Sequence, residues 1–155
     1  MLTQPEADFL HALEKQFESA EVLPFELSRA FDLERDLLSI DRREKFILTV
    51  ERGRRRRARL KYQTRARKIV VLARLDIDGP AHRNPASSPH RPGERLPCPH
   101  LHIYHEKFGD GIAYELKDVP GYNVSEFDNG ISWLVDFLNF CNVNPATVPN
   151  IQVEI

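Results

Sequence analysis

Residues 45–52 read Lys45-Phe46-Ile47-Leu48-Thr49-Val50-Glu51-Arg52, and their alternation decides the fold class. Phe46, Leu48 and Val50 fall on one side of an extended chain, β-branched Ile47 and Thr49 on the other. That two-residue period is the mark of a strand. After Gly53, residues 56–65 alternate again, with Ala58, Leu60, Tyr62 and Thr64 against Arg59, Lys61, Gln63 and Arg65. This predicts a half-buried strand with a basic open face. Residues 69–77 are nearly all apolar and predict the central strand, with Arg74 and Asp76 sharing a face. Residues 33–40 predict a strand on the other flank. The crossover helices that a parallel sheet requires are missing between these runs, so they imply an antiparallel meander of four to six strands.

Helical spacing is confined to the two ends. Phe9, Leu13 and Phe17 recur every four residues and predict an N-terminal helix over 5–19, with Thr3 as N-cap and Pro5 in the first turn. Ile131, Leu134, Val135, Leu138 and Cys141 form an apolar stripe that predicts a C-terminal helix packed on one face of the sheet, capped by Ser125 or Asp128. The expected architecture is therefore α+β, one domain over residues 1–155. Residues 79–97, rich in Pro, Ser, Arg and His, read as a loop too long to be an ordinary connection.

No apolar run approaches the ~20 residues that cross a bilayer. The first residues lack the basic and apolar regions of a signal peptide. The two cysteines, Cys98 and Cys141, make no disulfide framework. A cytoplasmic protein without a membrane partner is the expectation. The net charge of −1 conceals an asymmetry: ten of the 22 Lys and Arg residues lie between Arg52 and Lys68, with no acid among them. A polyanion meets that local field, because screening limits electrostatics to about 8 Å at physiological salt. Nucleic acid, RNA favoured, is the expected partner. Arg55, Arg57, Arg59, Lys61, Arg65 and Arg74 are the candidate phosphate contacts.

The chemistry concentrates in Cys98-Pro99-His100-Leu101-His102-Ile103-Tyr104-His105-Glu106, which holds three of the six histidines. On a strand, Leu101 and Ile103 face a core, while Cys98, His100, His102 and Tyr104 face the other way. On a half-exposed face His100 and His102 suit proton transfer near neutral pH, with Tyr104 assisting and His82 joining from the long loop. The alternative is a metal held by the two histidines, with His82, His90 or Cys98 as a third ligand. No Cys-x-x-Cys or His-x-x-x-His pair supports that alternative, so no metal or cofactor is expected.

Leu75-Asp76-Ile77-Asp78-Gly79-Pro80, His82-x-Asn84-Pro85 and the run His100-Leu101-His102-Ile103-Tyr104-x-Glu106-x-x-Gly109-Asp110 resemble a family of small, uncharacterised bacterial and prophage proteins over about residues 33–142. The chain departs from that pattern between Ala86 and Pro97, where the loop is longer. The resemblance implies a role in toxin, phage-defence or counter-defence systems, with an antitoxin or other protein as partner. At the level of fold, a basic antiparallel sheet with a helix in front is also similar to metal-independent ribonucleases of bacterial toxins. The functional expectation is a metal-independent endoribonuclease using histidine acid/base chemistry. A non-catalytic binding module and a metal-dependent hydrolase are the second and third readings.

Overall fold

The computed structural model describes residues 1–55 and 59–155. A seven-stranded antiparallel sheet organises the chain. Its core is the meander β3 (Phe31–Ser39), β4 (Lys45–Arg52), β5 (Leu60–Ala66) and β6 (Val70–Asp76). Short strands extend it at both edges: β1 (Lys15–Phe17) beside β3, and β9 (His100–Ile103) with β10 (Ala113–Tyr114) beside β6. β2 (Leu23–Glu26) lies outside this sheet, paired in parallel with the C-terminal β11 (Ile151–Glu154).

The period of two translates directly into burial. Val50, Tyr62, Leu75 and Leu101 stand side by side across four strands on one face, and all are fully buried. Ala7 and Leu10 of helix α1 (Gln4–Ala12) join that core, as do Leu134, Phe137 and Leu138 of helix α2 (Ile131–Phe140). The Tyr62 hydroxyl donates to the Gly130 carbonyl at 2.7 Å and its ring packs on Phe137, which ties the sheet to the start of α2.

α1 is shorter than the spacing of Phe9, Leu13 and Phe17 predicts. Thr3 caps it in a capping box with Glu6, as expected, but it stops at Ala12. Phe9 is exposed, and Phe17 is buried as part of β1 rather than of a helix. At α2, Gly130 occupies the cap with a left-handed backbone, and Asp128 supplies the acceptor for the Gly130 and Ser132 amides. Ser125 instead binds the buried Asp136 carboxylate. Residues 79–97 are not structureless: β7 (His82–Arg83) and β8 (Arg95–Leu96) form a two-stranded hairpin within them. Among the described residues no helix is long and apolar enough to cross a membrane.

Candidate active site

The polar face of the sheet sets up the site by register. Glu51, Lys61, Asp76 and His100 lie directly opposite one another on β4, β5, β6 and β9, and Gln63, Arg74 and His102 form the next row. Cross-strand neighbours stand about 4.5–5.5 Å apart, so Asp76 and Arg74 of β6 are forced against the two histidines of β9. His82 of β7 comes down over them, its ring 4.8 Å from that of His102 and 6.2 Å from that of His100. These groups form the floor of a cavity of about 990 Å³, walled by Lys61, Arg59 and Arg54 together with Asp32, Glu51 and Asp78.

The histidines are not on a half-exposed face as the sequence suggested. His100 and His102 are each 1% exposed. His82 packs against both rings, and the Pro97 and Asp110 carbonyls flank them, so residues 79–97 and the 109–111 turn crowd the polar side of β9. Each ring lies between two oxygens. His102 Nδ1 is 2.8 Å from the Asp110 carbonyl, and its Nε2 is 3.3 Å from Asp76 Oδ2 without making a hydrogen bond. His100 Nδ1 is 3.2 Å from the Pro97 carbonyl and its Nε2 3.3 Å from the same Oδ2. Arg74 holds the carboxylate from the other side, Nε to Oδ1 at 3.0 Å with a longer Nη2 contact to Oδ2 at 3.4 Å, and reaches Asp110 Oδ2 at 2.6 Å.

Burial pushes the Asp76 carboxyl up, but the contacts from His100 and His102 and the Arg74 charge outweigh it, so the group sits far below the usual carboxylate range. Burial holds His102 below the ordinary histidine value against the pull of Asp76. The Cys98 thiol lies 3.8 Å from His100 Nδ1, and burial pushes it up to about 11, so it offers no thiolate at neutral pH.

The candidates named from sequence separate into three groups. His82, His100, His102, Arg59, Lys61 and Arg74 share the cavity. Arg65 lies on the same sheet face but away from it, bonded to Glu34 Oε1 at 3.0 Å and to the Lys68 carbonyl. Arg55 is exposed on the β4–β5 connection, and Arg57 lies outside the described residues. Tyr104 is not in line with the histidines: β9 ends at Ile103, and the Tyr104 ring turns into the core, where its hydroxyl donates to the Leu2 carbonyl at 2.6 Å. A phenol committed in that way cannot assist at the floor. Asp76 and Asp110 were not named as site residues. The shared face of Arg74 and Asp76 was the available signal for the first.

One comparison bears on this geometry. A family model described as a family of unknown function, DUF6978, matches residues 2–143. The chain belongs to DUF6978. The match reaches well beyond the 33–142 span of the resemblance at the N-terminal side and takes in both α1 and the whole floor of the cavity. No curated protein and no solved structure matches the chain.

Proposed function

We propose that the cavity takes a phosphodiester of a nucleic acid, RNA first, and cleaves it using imidazole proton transfer. One observation carries this reading: Arg54, Arg59 and Lys61 of the arginine-rich segment and the imidazole floor, some forty residues apart in sequence, border the same cavity. Arg59 and Lys61 at the wall are suited to phosphate, with the planar fork of Arg the better match. Lys61 is bound to Glu51 at 3.0 Å, so a phosphate would have to displace that exposed ion pair, which is worth little.

Cleavage by a ribose 2′-hydroxyl needs one group to take its proton and another to meet the charge on the leaving oxygen. His82 suits the first task. Its Nε2 is 2.7 Å from the Gly111 carbonyl, which makes Nε2 the protonated nitrogen of a neutral ring and leaves Nδ1 as the base. The second task falls to the cluster of His100, Asp76 and His102. Tyr104 has no part in this scheme. The toxin, phage-defence or counter-defence setting belongs to the same proposal, with an antitoxin as the protein partner to seek.

The test is a cleavage and binding assay on single-stranded RNA. The wild-type chain should bind with an affinity that falls steeply as salt rises, and cleave. His82→Gln should bind as before and lose roughly 10²-fold or more in rate. Arg59→Ala with Lys61→Ala should flatten the salt dependence. Binding without cleavage would replace the enzyme by a nucleic-acid-binding module, and absence of binding at low salt would overturn the reading.

A further inference from the structure

We propose that Asp76 Oδ2, His100 Nε2 and His102 Nε2 bind one divalent transition-metal ion of the zinc type. The ligand atoms of these three residues lie within 4.8 Å of one another. The site stands on this geometry alone and is independent of what the cavity accepts.

The two rings carry too few protons for their surroundings. The two rings present four nitrogens to oxygens: the Pro97 and Asp110 carbonyls on the Nδ1 side, and Asp76 Oδ2 on the Nε2 side of both. A neutral imidazole carries one N–H. Two neutral rings therefore supply two protons, and two nitrogens must direct lone pairs at an oxygen. Protonating both rings would complete the count, but it would set two buried imidazolium ions with centroids 4.9 Å apart beside the Arg74 guanidinium. A divalent cation completes it without that repulsion. The Nδ1–H groups go to the carbonyls, and both Nε2 lone pairs and the carboxylate go to the metal. Metal-binding histidines are usually held in this way, through the other ring N–H on a backbone carbonyl. His102 Nε2, buried and without a hydrogen-bond partner among the described residues, is the atom that most needs such a ligand.

The spacing of the ligand atoms also suits a metal. Four ligands placed tetrahedrally at about 2.0–2.1 Å from zinc stand about 3.3–3.4 Å apart. Two of the three edges match that spacing, since both Nε2 atoms are 3.3 Å from Asp76 Oδ2, and all three ligand atoms lie within 4.8 Å of one another. Charge agrees: Arg74, Asp76 and Asp110 together carry one net negative charge, and Arg74 fixes the carboxylate by a short bond to its other oxygen, its contact to Oδ2 being longer at 3.4 Å. Three protein ligands leave a coordination position for water or substrate, the pattern of a catalytic rather than a structural zinc site. The sequence reading looked to His82, His90 or Cys98 for the third ligand. The register of β6 against β9 supplies Asp76 instead.

The experiment uses the full chain, stripped with chelator and titrated with zinc chloride by calorimetry and with cobalt(II) by absorption spectroscopy, in the absence of nucleic acid. One equivalent should bind with a micromolar or tighter dissociation constant, with the intense visible bands of tetrahedral cobalt. Asp76→Asn and His102→Gln should each weaken binding at least 100-fold, while His90→Gln should not. Should those variants fail to fold, proton spectra of the cobalt-loaded wild type decide the matter. Two exchangeable, strongly shifted imidazole N–H signals are expected, one from each Nδ1. Absence of stoichiometric binding, binding unaltered in Asp76→Asn, or absence of the two N–H signals would overturn the site. RNA binding measured in chelator then tests the cavity's substrate separately.

Discussion

Gly130 stands immediately before α2 with a backbone φ of +101°, a region that side chains rarely enter. A Cβ there would lie 2.5 Å from Leu60 Cδ1 and 2.8 Å from the Tyr62 hydroxyl oxygen, both buried. Gly130→Ala therefore combines strain with overpacking, and should cost about 2–4 kcal/mol in urea unfolding. Gly93 has a φ of +71°, but a Cβ added to it would meet nothing within 4 Å. Gly93→Ala thus bears the strain alone and should cost only about 1 kcal/mol. Equal losses in the two variants would mean that the Tyr62–Gly130 contact does not fix α2. Tyr104 breaks the alternation of the strand it follows. Alternation continues on paper past Ile103, but the strand does not, and nothing in the residue itself announces where pairing stops.

At the scale of elements, His11 closes the last turn of α1 with its ring against Phe140, centroids 4.7 Å apart, and its Nδ1 buried without a hydrogen-bond partner among the described residues. Burial, aided by the nearby Lys15 charge, lowers it from 6.5 to about 4. The folded state thus binds this proton less readily than the unfolded chain. Stability from this group is complete above pH 6.5 and is lost as pH falls toward 4, by about 2–3 kcal/mol at pH 4.5. Urea midpoints of wild type at pH 7.5 and 4.5 should differ by at least this amount, and His11→Phe should reduce that difference, leaving the part due to the buried His102. An unchanged difference would show that the acid sensitivity arises elsewhere. The strands of the meander were legible because half-burial writes a period of two into 31–76 with few interruptions. α1 was overextended because the fourfold spacing of Phe9, Leu13 and Phe17 mimics a stripe, although Phe17 belongs to β1. β7 and β8 have two residues each, too few for any period to show. The face of His100 and His102 was legible from alternation. Their burial and their partner Asp76 were not, since both depend on how residues 77–99 return the chain.

For the whole molecule, the sheet separates a closed apolar layer from a polar cavity, and β9 serves both. Leu101 is fully buried in the core, while His100 and His102 are nearly as inaccessible on the opposite side. A strand covered on both faces should tolerate substitution on neither. Leu101→Ala leaves a core cavity and should cost roughly 2–5 kcal/mol. His102→Ala removes the donor to the Asp110 carbonyl and the packing against His82, and should cost roughly 1–3 kcal/mol rather than the negligible loss expected of an exposed histidine. Lys61→Ala, at the cavity wall in an exposed ion pair, should change stability by no more than about 0.5 kcal/mol. Urea unfolding of the three variants in chelator, so that a bound ion does not add to the histidine's contribution, orders them directly. If His102→Ala proves as harmless as Lys61→Ala, the 79–97 segment does not seal the floor in solution. The two histidines would then work in an open cleft, where water rather than the protein satisfies their second nitrogens.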